Sequence, residues 1–156
     1  MSLKNKFEKT YGISFTLSKC REKNCALVGL SKDYFIINGD TIKKWGEKSV
    51  DCIIIDLRKN NDQKFKIILC ELTSGNKNIR DARDKFKSSG KLIINYLNTI
   101  GEKIYRIDCL LLGKIKKNGK SIDNKKLMRK FRIEGYNSSI IIQNEKCGYN
   151  ISLLNN

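Results

Sequence analysis

A chain of 156 residues with 40% apolar content is long enough to bury one core and too apolar for a disordered polymer. Its 32 basic against 16 acidic residues give a formal charge of +16, which favours a phosphate-rich partner, nucleic acid first, over neutral or cationic ones. The absence of histidine excludes Ser-His-Asp and Cys-His catalysis, His-dependent ribonuclease chemistry and mixed cysteine–histidine zinc sites, so carboxylates, amines, hydroxyls and thiols carry whatever chemistry there is. An AT-rich coding bias accounts for lysine outnumbering arginine, but not by itself for so few acids.

Ser2 is placed to cap a short helix running to about Tyr11, in which Leu3 and Phe7 share a face and Glu8 lies beside it. The start from Met1 to Lys9 has no apolar secretory segment, and no stretch approaches eighteen uncharged apolar residues, so a soluble, cytoplasmic chain without membrane contact is expected. Cys20 and Cys25, inside a charged segment, suit a small disulfide or half of a thiolate metal site, for which Cys147 is the attractive further ligand. Cys52, Cys70 and Cys109 sit in apolar runs and read as small core hydrophobes.

Tyr34 to Asn38 reads as a strand ending in a turn at Gly39-Asp40, followed by a linker holding Trp45. Val50 to Leu57 and Phe65 to Thr73 are the strongest strands, joined by an Asn- and Asp-rich turn. A hairpin centred on Asn61 sets Leu57 against Phe65 and Asp51 against Glu71, with Cβ atoms roughly 5 Å apart. Strand parity turns Asp56 to the opposite side from Asp51, while Thr73 shares the face of Glu71. An acid in an apolar strand needs a partner or a metal, because an unpaired buried charge costs several kcal/mol.

A long helix is expected from Asn78 to about Ile100, bent or broken at Gly90, then a strand from Ile104 to Leu112. A short basic helix over Asn124 to Phe131 and late strands at Ile140–Ile142 and Tyr149–Leu153 complete the chain. With no proline, repeat or linker, residues 1–156 read as a single domain. Its core covers about 2–112 and a basic extension about 113–156. The fold class is α/β, a mixed β-sheet flanked by helices.

Asp51 opening one strand, Glu71-Leu72-Thr73 closing the next, and the order helix, strand, strand, strand, helix, strand over residues 2 to 112 together resemble the PD-(D/E)XK superfamily of nucleases. The resemblance implies a restriction-endonuclease-like αβββαβ core and a metal-dependent endonuclease that hydrolyses phosphodiester bonds, in DNA before RNA. It implies Mg2+ or Mn2+ held by Asp51, Glu71 and the Leu72 carbonyl, with Glu8 in the place of the helix-borne acid that Holliday-junction resolvases and other members add. Where the family has a water-positioning lysine, this chain has Thr73, whose hydroxyl can hydrogen-bond a water or phosphate oxygen without adding charge. Lys77 and Arg80 are the nearest cationic substitutes. The alternative is a non-catalytic nucleic-acid-binding protein on the same fold. Many relatives are dimers, so a homodimer is a further expectation.

Nine basic residues and one acid lie between Lys114 and Arg132, the expected backbone-binding tract. Lys114, Lys116, Lys117, Lys120, Lys125, Lys126, Arg129 and Lys130 are its candidates for phosphate contact, together with Lys77 and Arg80. The segment from Gly113 to Ser121 imitates a phosphate-binding loop, but five residues separate its glycines where the Walker pattern has four.

Overall fold

The computed structural model describes residues 1–43, 46–73, 79–114, 116–117, 120–121 and 129–154. In chain order they form α1 (Leu3–Tyr11), β1 (Thr16–Leu17), β2 (Cys20–Glu22), β3 (Cys25–Leu27), β4 (Tyr34–Asn38), α2 (Gly39–Lys43), β5 (Cys52–Asp56) and β6 (Phe65–Leu72). There follow α3 (Ile79–Thr99), β7 (Ile104–Leu112), β8 (Lys116–Lys117), β9 (Lys120–Ser121) and β10 (Ile142–Glu145), with 3-10 turns at Ile13–Phe15 and Ile151–Leu153. The architecture is α/β on one six-stranded mixed sheet, ordered β1-β4-β5-β6-β7-β10. β1, β4, β5 and β6 pair antiparallel with one another, whereas β7 joins β6, and β10 joins β7, in parallel. A parallel step needs a crossover, which α3 supplies between β6 and β7.

The Ile-rich runs of β5 and β6 are buried along their whole length, as strands covered on both faces should be. Their register runs from Cys52 against Cys70 to Asp56 against Lys66, so the hairpin is centred on Asn61 as the turn chemistry predicts. Asn60 shapes that turn, its side-chain oxygen accepting from the amides of Asp62 at 3.1 Å and Lys64 at 2.9 Å.

Parity then divides the sheet. Ile53, Ile55, Ile67 and Leu69 pack on one side with Phe7 of α1 and Phe86, Ile93 and Leu97 of α3. Cys52, Ile54, Ile68, Cys70 and Leu72 face the other side with Cys20, Cys25, Leu27, Ile151 and Leu154. Helices therefore pack on the mixed sheet as expected, with both long ones on one face. The β2–β3 hairpin and the C-terminal 3-10 turn cover the other.

Two disulfides hold that cover in place and correct the cysteine reading. Cys20 and Cys25 do not pair with each other. Cys20 joins Cys52, with Cα atoms 6.0 Å apart, and Cys25 joins Cys147 at 4.8 Å. The reason is the register of the β2–β3 hairpin, which sets Cys20 opposite Leu27 and Cys25 opposite Glu22, on different rungs. Cys52 is thus a bridged residue, while Cys70 and Cys109 remain buried free thiols. Bridges of this kind typically stabilise by about 2–4 kcal/mol each.

Other elements differ locally. Gly39-Asp40 opens α2 rather than a turn. Gly90 does not end α3, which runs through it; it is buried, and a Cβ there would meet Ile133 at 2.7 Å, so a lateral contact explains the glycine. Ile140 makes only an isolated bridge to Phe131, the late strand is β10, and Tyr149–Leu153 ends in a 3-10 turn. Most of the basic helix expected over 124–131 lies outside the described residues. Among the described residues, no helix is long and apolar enough to cross a membrane.

Candidate metal centre

The approach to β5 is held from two sides before any acid appears. Val50 donates its amide to Ser89 Oγ of α3 at 2.9 Å, and Ser49 Oγ lies 3.1 Å from the same hydroxyl. Gly39 donates its amide to the Asp51 carbonyl at 2.9 Å. A Cβ on Gly39 would sit 1.6 Å from the Val50 carbonyl oxygen, so only glycine permits this approach.

Asp51 and Glu71 then meet where β5 begins and β6 ends. Their side chains are 10% and 0% exposed. Asp51 Oδ2 accepts from the Leu72 amide at 2.8 Å, and the Asp51 amide donates to Glu71 Oε1 at 3.2 Å. Each carboxylate thus has one oxygen on a backbone amide. The others face ammonium groups, with Lys43 Nζ 3.3 Å from Asp51 Oδ1 and Lys85 Nζ 2.9 Å from Glu71 Oε2.

Both lysines come from helices. Lys43 ends α2 and also lies 3.3 Å from Asp40, whereas Lys85 stands 3.6 Å from Asp81 one turn earlier on α3. Asp81, Lys85 and Ser89 are four residues apart in succession, so a single stripe of α3 faces the site. Burial pulls the Lys85 ammonium below its ordinary value, but the hydrogen bond and charge of Glu71 outweigh it and the net shift is upward. Lys43 behaves alike, burial being outweighed chiefly by Asp51 and then Glu71. Both are therefore cations at neutral pH. The thiol of Cys70, across the strand from the acids, is pushed up by burial and then by the charges of Asp51 and Glu71, which disfavours a thiolate ligand or nucleophile.

Thr73 follows β6, buried at 3% exposure, with its amide on the Leu112 carbonyl at 2.9 Å. Gly113 lies so close that a Cβ would meet the Thr73 carbonyl oxygen at 2.3 Å. Leu72 is equally buried and orients Asp51 through its amide. Glu8 pairs with Lys4 on its own helix at 3.9 Å. Of the expected nucleic-acid contacts, Arg80, Lys114, Arg129 and Lys130 are exposed. Lys116, Lys117 and Lys120 lie on the β8–β9 ribbon. Lys77, Lys125 and Lys126 lie outside the described residues. Arg129 lies near α3, where burial and then the charge of Arg129 lower the Arg83 guanidinium.

Lys43 and Lys85 were not among the sequence candidates. The nearest cations in sequence, Lys77 and Arg80, lie at or before the start of α3, whereas the helix reaches the acids with its second turn, at Lys85. The available signal was the spacing Asp81, Lys85, Ser89, three polar residues on one stripe of an otherwise amphipathic helix.

The described residues hold no group of three or more carboxylate or thiol side chains suited to a metal, so the acid pair stands by itself. Its four carboxylate oxygens are engaged by two backbone amides and two ammonium groups, so a cation held here would have to displace the lysines. Mg2+ is usually bound through one or two carboxylates while keeping several waters, and each acid here turns an oxygen toward positive charge. No protein-family model, curated protein or solved structure matches the chain.

Proposed function

We propose that the chain is a divalent-metal-dependent nuclease that hydrolyses phosphodiester bonds, in DNA before RNA. The observation that carries this reading is Lys85, a cation delivered by α3 to within 2.9 Å of Glu71 in a chain whose motif has Thr73 where lysine is expected. The order α1, β4, β5, β6, α3, β7 and the meeting of Asp51 with Glu71 at adjacent strand ends support it, as does the formal charge of +16.

Bound Mg2+ or Mn2+ would supply an acidified water and neutralise charge developing on the phosphate. Asp51 and Glu71 would hold it, kept in orientation by the amides of Leu72 and Asp51. Lys85 acts as a donor rather than a base, since its raised pKa keeps it protonated at neutral pH. Lys85, beside Glu71, would position the attacking water or a phosphate oxygen through its ammonium, the role Thr73 cannot fill with a charge. Arg83, Arg129 and the basic tract beyond β7 would bind the backbone.

A second reading rests on the same lysines. Two ammonium groups already neutralise two carboxylates, which suits a protein that binds nucleic acid without cutting it. The deciding experiment incubates the protein with single-stranded, duplex and branched DNA and with RNA under Mg2+ or Mn2+, beside Asp51→Ala and Glu71→Ala. Metal-dependent cleavage lost in both variants supports the first reading. Cleavage that survives both removes the site, and salt-sensitive binding without cleavage favours the second. The expected cytoplasmic setting and the two disulfides pull in different directions, because such bonds are rare in a reducing cytosol. Thiol counting on protein freshly isolated from its own cells decides between them.

A further inference from the structure

The helical face of the sheet carries a depression at the end of α3 remote from the acids. It is a cavity of about 430 Å³ walled by the last turns of α3, the start of β7, Lys64 before β6 and the turn at 135–138. That volume lies within the usual range for small-ligand pockets. Ile94 gives it an apolar floor, Tyr105 and Tyr136 line it with aromatic rings, and Lys64, Lys103 and Asn98 supply the polar groups.

The walls are built rather than incidental. Tyr136 donates its amide to the Ile133 carbonyl at 3.0 Å, and its hydroxyl accepts from the Ile107 amide at 3.4 Å, which fixes the ring from both ends. Gly135, at φ 89°, brings the turn onto α3 so closely that a Cβ would stand 3.0 Å from Ile94. Among the described residues no carboxylate lines the cavity, and the neighbouring acids are engaged elsewhere, Glu102 with Lys59 at 2.9 Å and Glu134 with Lys91 at 3.0 Å. The lining therefore selects for an anion joined to a flat ring.

We propose that this cavity takes one unpaired nucleotide, its base against Tyr105 and Tyr136 and its phosphate toward Lys64 and Lys103. The assignment of its partner as the substrate strand rests on the nuclease reading. Base–aromatic stacking beside lysine is how single-stranded nucleic acid is commonly held. Lys85 and Asn98 are thirteen positions apart on α3, about 20 Å at the rise of an α-helix. At 3.4 Å per nucleotide along a duplex strand, the captured nucleotide lies about six positions from the acids, fewer where the strand is extended. The substrate class that fits is a strand with a free end, flap or gap rather than a continuous duplex.

The test titrates deoxyadenosine monophosphate into 15N-labelled protein without metal, with inorganic phosphate as the control. Shifts should gather at Lys103, Tyr105 and Tyr136 and be weaker with phosphate. Glu71→Ala should leave the affinity unchanged, whereas Tyr105→Ala and, separately, Lys103→Glu should lower it about tenfold or more. Both side chains are exposed, so neither variant threatens the fold. Shifts elsewhere, or affinity indifferent to both variants, would overturn the proposal even if the protein cuts DNA. Nucleotide capture with no cleavage of any substrate would instead overturn the nuclease reading and leave the cavity assigned.

Discussion

Asp51 and Glu71 are tied to each other through backbone amides. The Asp51 amide donates to Glu71 at 3.2 Å, and the Asp51 carboxylate accepts from Leu72, the residue after Glu71, at 2.8 Å. Displacing either acid disturbs the other's support. A divalent cation held here should raise thermal stability, by about 2.7 kcal/mol at a hundredfold excess over Kd. Scanning fluorimetry in rising MgCl2 should show that increase in the wild type and neither in Asp51→Asn nor in Glu71→Gln. An equal rise in either variant would place the metal elsewhere.

Lys85→Met leaves the fully buried Glu71 without its ammonium. Loss of one partner from a buried pair costs about 3–5 kcal/mol, which urea denaturation should register, with part restored by Mg2+ and by Lys85→Arg. In the nuclease reading, kcat should also fall about a hundredfold or more, as for a lost transition-state donor, while DNA affinity changes little.

The pH dependence follows from the direction of each shift. The Lys43 and Lys85 ammonium groups are raised above 10.5, so their contribution is complete below that value and is lost as pH climbs through the raised ones. The buried thiols of Cys70 and Cys109 are also raised, chiefly by desolvation, from 9.0. Thiols in the unfolded chain ionise first, so stability should begin to fall near pH 9.0. Urea midpoints between pH 7 and 11 should show that onset, and Cys70→Ala with Cys109→Ala should move it to higher pH.

Ser89→Ala removes the acceptor for the Val50 amide. The cost should be about 1–3 kcal/mol, with the urea m-value unchanged. Gly39→Ala should be worse, about 3 kcal/mol or more, because backbone rather than a flexible side chain must move. If Gly39→Ala melts with the wild type, the close approach to Val50 is not as described.

Alkylation should find two thiols, Cys70 and Cys109, in unfolded unreduced protein and all six after reduction. In the native state both free thiols should resist, being buried and un-ionised. Peptide mapping should join Cys20 to Cys52 and Cys25 to Cys147.

The sheet core was legible because its signals are local. The Asn-rich turn set the β5–β6 register, and period-two alternation separated Asp51 from Asp56. The latter indeed lies on the other face, bonded to Arg58 at 2.9 Å. The β2–β3 hairpin was not legible, since three-residue strands with charged neighbours carry no periodicity. Its stability comes from partners 32 and 122 residues away, which spacing alone cannot disclose. Lys85 was missed for a related reason. Its importance depends on where α3 meets β6, a tertiary fact that no window of sequence contains.

The Cys25–Cys147 bridge has a consequence for proteolysis. It closes a ring spanning 122 residues, which includes every strand from β4 to β10 and all of α3. A protease that cuts once anywhere within that ring severs the backbone but leaves both fragments covalently joined. The two pieces carrying Asp51 and Glu71, if the cut falls between them, stay one molecule until a reductant arrives.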